Sequence, residues 1–155
     1  MNNNKALAVI DEARSWVGTP FHHQAALKGV GCDCAGLVRG VAEACDLAPG
    51  FLQRWRGHSN YGRVPNPRRM ERTLRAFLLP VPLAEMRVGD VLWMQWRRDL
   101  PMHLGLLAAH EGRLTLIHAL EDIGRVVEHG LTAEWRCRVV SVWRYPALAE
   151  VPGGA

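Results

Sequence analysis

The sequence predicts a single α+β domain in which N-terminal helices pack on a central antiparallel β-sheet. Apolar residues recur at helical spacing in the first half of the chain, whereas β-branched and aromatic runs bounded by turn residues fill the second half. The length of 155 residues suits one domain spanning 1–155. A hydrophobic fraction of 48% supplies a core that needs no disulfides.

The first two predicted helices are separated by a loop rich in glycine and histidine. The first helix covers residues 5–16, and Gly18 and Pro20 end it. The second begins near Cys34 behind Asp33, a residue type that favours the N-cap. The predicted apolar stripe of this second helix consists of Leu37, Val38, Val41, Ala44 and Cys45. Pro49 and Gly50 are expected to end it.

A third helix is predicted over residues 68–79, where Pro80 and Pro82 break the pattern. Residues 51–67, which precede it, are expected to be irregular. Strands are predicted over residues 91–96, 102–110, 113–119, 125–129 and 137–145. Glu111 and Gly112 suit a tight hairpin turn between the second and third strands. The tail from Pro146 is expected to be frayed.

Charge and hydropathy limit the function classes. The net charge of +4 is mild and dispersed, so no specific nucleic-acid partner is predicted. The densest basic cluster is interpreted as a solvated helix face, with weak attraction to an anionic polymer as the alternative. Its members are Arg63, Arg68, Arg69, Arg72 and Arg75. No apolar run is long enough for membrane insertion, and the N-terminal residues lack a signal-peptide pattern, so synthesis in the cytoplasm is expected.

Cys34 is the candidate nucleophile because it falls in the first turn of the second helix. A helix N-terminus favours the thiolate, and its N–H groups can stabilise an oxyanion. The small neighbours Ala35 and Gly36 would let a substrate carbonyl approach. Asp33 opposes ionisation of the thiol unless its charge is absorbed by capping the helix. From position alone, a buried structural cysteine stays an equal interpretation.

Two of the seven histidines, His103 and His118, are candidates for a catalytic pair. If Glu111 and Gly112 are the two residues of the hairpin turn, His103 and His118 become diagonal neighbours on one sheet face. Such neighbours have Cβ atoms roughly 7 Å apart, so one ring can orient the other. This arrangement predicts His103 as a general base and His118 as the group that orients it. A register shift of one residue would put the rings on opposite faces.

Four ordered sequence blocks resemble those of NlpC-type cell-wall endopeptidases. The first lies within residues 13–41, and all four together cover roughly residues 5–145. The blocks are Asp33-Cys34-Ala35-Gly36-Leu37-Val38, Gly89-Asp90, His103-Leu104-Gly105-Leu106 and Ile117-His118-Ala119. Each block is weak alone, whereas the ordered set is specific.

The resemblance implies a papain-like fold and a cysteine peptidase that needs no cofactor and no metal. Its implied substrate is the peptide stem of bacterial peptidoglycan, cut at the D-γ-glutamyl bond. The first block is most similar to the branch found with tail assembly genes of phages and gene-transfer particles. That branch implies tail proteins as partners and delivery to the cell wall by the tail.

Two departures from the family pattern concern the oxyanion hole. Phe21 stands where the family has a tyrosine, and Ala35 replaces a common serine. His22 and His23 are candidates to replace the tyrosine hydroxyl, with stabilisation of the loop as the equal alternative. The predicted oxyanion and substrate-binding set is Phe21, His22, His23, Asp33, Ala35 and Gly36.

Three competing hypotheses remain open at this point. Cys32, Cys34 and Cys45 with a nearby histidine would form a zinc site, although their spacing fits no standard zinc module. A structural tail component or wall-binding module without useful activity is favoured by Phe21. Alternatively, the same Cys and His chemistry would act on another amide or on a thioester.

Overall fold

The elements follow the predicted order, with most helices before most strands. The computed structural model describes residues 2–47, 64, 66–97 and 100–149. The helices are α1 (Asn2–Ser15), α2 (Cys34–Ala44), α3 (Pro67–Phe77) and the short α4 (Ala133–Cys137). The strands are β1 (Ala26–Leu27), β2 (Gly31–Cys32), β3 (Leu79–Val81), β4 (Val91–Gln95), β5 (Pro101–His110), β6 (Arg113–Leu120), β7 (Arg125–Gly130) and β8 (Val139–Arg144). None of the helices among these residues is long and apolar enough to cross a membrane.

Six strands form one antiparallel sheet in the order β3-β8-β4-β5-β6-β7. This confirms the predicted α+β class with a central antiparallel sheet. Glu111 and Gly112 join β5 to β6 with φ angles of +48° and +75°, and positive φ at both turn residues suits the twist of a two-residue hairpin. Leu106 pairs with Ile117 as the predicted register requires.

The two faces of the sheet carry separate apolar clusters. Along β4, Val91 and Trp93 belong to the cluster that includes buried residues of α1 and α2. Leu92 and Met94 alternate with them and belong to the second cluster, against which Trp135 of α4 packs. Because side chains alternate along a strand, this division assigns every strand residue to the helix face or to the opposite face.

Close packing fixes α2 on the sheet. A Cβ added at Gly40 would lie 2.3 Å from the ring of Trp16, the residue that follows α1, so the glycine lets α2 pack against the end of α1. The buried hydroxyl of Tyr145 donates a hydrogen bond of 2.8 Å to the carbonyl oxygen of Val38. These contacts set the position of α2 and therefore of Cys34 at its start.

Three local predictions are wrong. Helix α3 ends at Phe77, and β3 follows it with Pro80 in the middle, which is tolerated because β3 pairs only with β8. Cys137 belongs to α4 rather than to a strand, because the Thr132 side chain accepts the N–H of Trp135 and starts a helix. Ala44 is exposed instead of completing the α2 stripe.

The chain after β8 is partly ordered, contrary to the expected fraying. Pro146–Leu148 forms a 3₁₀ turn, and Leu148 is only 3% exposed. Arg68, Arg72 and Arg75 are exposed on α3, as a solvated face requires. The predictions for Pro49 and Gly50, for most of 51–67 and for 150–155 lie outside the described residues.

Candidate active site

The N-terminus of α2 is held by the carboxylate of Asp33. Its Oδ1 accepts the N–H of Gly36 at 2.8 Å, and its Oδ2 accepts the N–H of Gln24 at 2.7 Å. Asp33 is only 4% exposed and has extended backbone angles, which confirms the predicted N-cap. One side chain thus begins the helix, ties it to the preceding loop and leaves Cys34 in the first turn.

The residues after Cys34 serve packing. A Cβ added at Gly36 would lie 1.9 Å from the carbonyl oxygen of Ala25, so this glycine lets α2 approach the loop backbone. Ala35 is 4% exposed and belongs to the core. On the side where a Cβ would lie, the space beside Gly36 is filled by the protein's own backbone, and the approach of a substrate carbonyl to Cys34 stays a prediction.

The Cys34 thiol is half-buried at the point where α2 meets β5. Burial, and then the negative charge of Asp33, raise the pKa of Cys34 to about 12. Hydrogen bonds from the backbone N–H groups of Leu104, Ala35 and Cys34 lower the pKa of Cys34, but by less than burial raises it. The prediction of a lowered pKa is therefore wrong, because desolvation outweighs the helix N-terminus, and the resting thiol is protonated at neutral pH.

The other nearby cysteines are placed differently. Cys32 is fully buried on β2, where burial and Asp33 raise its pKa to about 12. The Cys45 sulfur lies 3.9 Å from the carbonyl oxygen of Ala8 on α1. Within 2–47, 66–97 and 100–149, no group of three or more His, Cys, Asp or Glu side chains is placed to hold a metal ion. Cys34 is therefore the better-placed nucleophile of the two cysteines that flank Asp33.

His103 and His118 meet as the hairpin register predicts. Nε2 of His103 lies 2.7 Å from Nδ1 of His118, and the rings are 5% and 0% exposed. His103 directly precedes Leu104, whose N–H lies beside the Cys34 sulfur. His103 pairs with Met94 of the second cluster, so the two histidines meet on the sheet face opposite α2, while the Cys34 sulfur reaches the backbone N–H of the adjacent Leu104.

Both imidazoles are neutral at neutral pH. Burial, followed by the positive charge of Arg138, lowers the pKa of His103 to about 3. Burial, followed by the charges of His103 and His129, lowers the pKa of His118 to about 2. A neutral His103 has a lone pair with which to accept a proton, but its lowered pKa makes the resting imidazole a weak base.

Aromatic rings enclose the histidine pair. Trp96 stacks on His103 with ring centroids 4.9 Å apart, and Trp135 meets His118 edge-on at 4.7 Å. The guanidinium of Arg138 lies over both tryptophan rings, at 5.8 Å and 5.0 Å. These three residues were not predicted from the sequence, because Trp135 and Arg138 are placed by the unpredicted helix α4 and Trp96 by the pairing of β4 with β5.

The predicted oxyanion residues of the loop are arranged around Cys32 and Asp33. Phe21 is half-buried and pairs with Cys32 through its backbone, and its ring has no hydrogen-bond donor. His22 is exposed, with its Nδ1 3.2 Å from the carbonyl oxygen of His23. Nδ1 of His23 lies 3.9 Å from Oδ2 of Asp33. Among these three, His23 is linked to the capping carboxylate.

A further histidine, His129, joins the pair from β7. Its Nε2 lies 2.8 Å from Nε2 of His118. In the register of β6 with β7, His118 faces Val127 and Leu116 faces His129, so the two histidines are diagonal neighbours. His118 and His129 both lie in strands that were predicted from the sequence, but the pairing of those strands, β6 with β7, was not predicted.

Comparison with solved structures identifies the fold. An NLP/P60 family protein similar to lipoprotein, from Staphylococcus aureus subsp. aureus Mu50, matches with a TM-score of 0.63 and 15% identity over 94% of this chain and 42% of that chain. The chain has the NlpC/P60 fold. The NlpC/p60 domain of the peptidoglycan hydrolase SagA matches with a TM-score of 0.58 and 17% identity over 89% of this chain and 97% of that chain.

A third match is Ly7917, solved with the hydrolysing product of MDP. Its TM-score is 0.56 and its identity 13%, over 91% of this chain and 63% of that chain. This chain therefore spans less than two thirds of both Ly7917 and the S. aureus protein. No protein-family model matches the chain, and no curated protein matches its sequence. At these identities the likeness establishes the fold, and the activity has to be argued from the site.

Proposed function

We propose that the protein is a cysteine peptidase that hydrolyses the peptide stems of bacterial peptidoglycan. The observation that carries this proposal is the position of the Cys34 thiol against the N–H of Leu104, the residue that directly follows His103, whose ring contacts a second histidine, His118. SagA, which shares the fold, is named a peptidoglycan hydrolase, and Ly7917 was solved with a hydrolysis product. The site supports the reaction type, and the neighbours support the substrate class.

Acylation starts from a neutral thiol and a neutral imidazole. As the Cys34 sulfur attacks the carbonyl carbon of the scissile amide, the thiol proton moves to Nδ1 of His103, the ring nitrogen not used toward His118. A sulfur–carbon bond forms, and the carbonyl π electrons become an oxyanion. The backbone N–H groups of Cys34 and Ala35 at the start of α2 are suited to stabilise that charge, whereas the N–H of Gly36 is already donated to Asp33.

The end of acylation and the deacylation that follows it both use His103 to transfer protons. The tetrahedral intermediate collapses, the carbon–nitrogen bond breaks, and His103 returns its proton to the departing amine. A water molecule then gives a proton to His103 and attacks the thioester carbon. The sulfur–carbon bond breaks, the sulfur regains the proton from His103, and the new carboxyl group is released.

The finer assignments rest on the ordered sequence blocks. They favour cleavage at the D-γ-glutamyl bond, and they favour a protein carried to the cell wall by a phage or gene-transfer-particle tail. Mass spectrometry of the released fragments would locate the cut. New termini at any other bond of the stem would contradict the D-γ-glutamyl assignment.

Purified peptidoglycan provides the test of activity. The protein is expected to release new amino groups, and Cys34→Ala is expected to abolish the release because no other group supplies the attacking sulfur. Cys32→Ala is the matched control, since this cysteine is fully buried two residues away. Circular dichroism would confirm that each variant is folded. Undiminished release by a folded Cys34→Ala protein would overturn the mechanism.

A wall-binding module with the same fold is the second candidate. Phe21 offers no hydroxyl to an oxyanion, and the high pKa of Cys34 disfavours a resting thiolate. This alternative predicts that both the unaltered protein and Cys34→Ala sediment with peptidoglycan while neither releases amino groups. The amino-group assay therefore separates the two candidates.

A further inference from the structure

Three histidine rings form one hydrogen-bonded row on the sheet. His103 Nε2 lies 2.7 Å from His118 Nδ1, and His118 Nε2 lies 2.8 Å from His129 Nε2. The row ends on the backbone, where Nδ1 of His129 lies 2.9 Å from the carbonyl oxygen of Gly130. Because His118 uses its two opposite nitrogens, the three rings do not converge on one point as metal ligands would.

The backbone carbonyl fixes the direction of every hydrogen bond in the row. A carbonyl oxygen only accepts, so Nδ1 of His129 carries the hydrogen. With neutral rings, Nε2 of His129 then accepts from Nε2–H of His118. Nδ1 of His118 in turn accepts from Nε2–H of His103. Nδ1 of His103 therefore carries no hydrogen and keeps its lone pair. In the proposed mechanism this is the atom that receives the thiol proton.

The contacts around the three rings make the hydrogen bonding of His118 depend on His129. His118 is 0% exposed, so its Nε2 depends on a protein partner. Trp135 lies 4.7 Å from the ring of His118 and 5.4 Å from that of His129, which holds both ring planes. Arg138 lies over Trp135 and adds positive charge beside the row. That charge disfavours an extra proton on His103 and favours its neutral state.

We propose that His129 is a positioning residue that holds His118 and His103 in the tautomers leaving Nδ1 of His103 free of hydrogen. The inference rests on the proposed function, in which His103 is the base toward Cys34. His129 acts only through His118 and touches no reacting atom. A side chain at position 129 that accepts a hydrogen bond from Nε2–H of His118 maintains the tautomers. A side chain that can only donate to that nitrogen reverses them.

Three substitutions at one position separate positioning from packing. His129→Gln offers an amide oxygen to His118 and an N–H to Gly130, so it is expected to keep kcat within about threefold. His129→Leu removes the acceptor and is expected to lower kcat by at least about tenfold. His129→Lys only donates, reverses the row and is expected to lower kcat by at least about 100-fold, as a wrong tautomer does. His110→Gln, on the exposed end of β5, is the control.

Nitrogen NMR of the full chain with labelled imidazoles reads the tautomers without any substrate. His103 is expected to carry its hydrogen on Nε2 in the unaltered protein and in His129→Gln, and on Nδ1 in His129→Lys. Hydrogen on Nδ1 of His103 in the unaltered protein, or equal spectra and rates for all three variants, would overturn the inference. If peptidoglycan is not cleaved, the proposed function fails, and the spectra alone still decide the tautomers.

Discussion

Asp33 has two opposing effects on the site. Its carboxylate accepts N–H groups from Gly36 and Gln24 and so fixes the start of α2. The same negative charge is the second cause, after burial, of the raised pKa of Cys34. The residue that places the proposed nucleophile therefore also favours its protonated form, and in the proposed mechanism His103 has to remove the proton during attack.

Replacing the charge of Asp33 separates these effects. Asp33→Asn keeps one oxygen for the cap but removes the charge, so the pKa of Cys34 is expected to fall. The rate of alkylation by iodoacetamide, followed against pH by mass spectrometry, measures this change. Asp33→Ala loses the cap and is expected to lower the free energy of unfolding by about 1 kcal/mol. Asp46→Asn, just past the other end of α2, is the control, and an unchanged alkylation profile in Asp33→Asn would refute the electrostatic argument.

At the scale of elements, α2 is positioned by glycines that permit close contact. Gly36 faces the backbone of Ala25, and Gly40 faces the ring of Trp16. The first contact lies in the turn that carries Cys34, and the second lies one helical turn later. The helix is thus held against both the preceding loop and α1, which limits its movement relative to β5.

A methyl group at position 40 tests this arrangement. In Gly40→Ala the new Cβ would lie 2.3 Å from the Trp16 ring, so α1 and α2 must move apart. The variant is expected to lose about 1 to 3 kcal/mol in free energy of unfolding by urea, although alanine favours a helix. Gly130→Ala, which has open space around its Cβ, is the control. An equal loss in both variants would contradict a steric cause at Trp16.

Sequence alone predicted the features that depend on short stretches of chain. Asp33 before Cys34 predicted the start of α2, and Glu111 with Gly112 predicted the register that joins His103 to His118. His129 was missed because its approach requires the pairing of β6 with β7. The thiol pKa was predicted in the wrong direction because burial depends on contacts distant in sequence, which helix position does not reveal.

At the scale of the whole molecule, the site lies between two differently packed sheet faces. Helix α2 brings Cys34 from one face to the backbone of Leu104. His118 lies on the other face, where its Cβ shares the space above Gly105 with side chains of Leu116 and Met94. The histidine row is therefore part of the second core, and its ionisation is coupled to the stability of the fold.

That coupling predicts a loss of stability in mild acid. The ordinary histidine pKa of 6.5 falls to about 3 for His103 and to about 2 for His118 in the folded chain. Below about pH 6.5 the unfolded chain therefore binds protons that the folded chain refuses, and each ring lowers the free energy of unfolding by up to about 1.4 kcal/mol per pH unit. Urea unfolding between about pH 6.5 and about pH 5 measures the slope above the range where carboxylates titrate. His118→Gln keeps a polar side chain but binds no proton, so its slope should be shallower than that of the exposed control His110→Gln. Equal slopes in the two variants would show that buried His118 is not the source of the acid sensitivity.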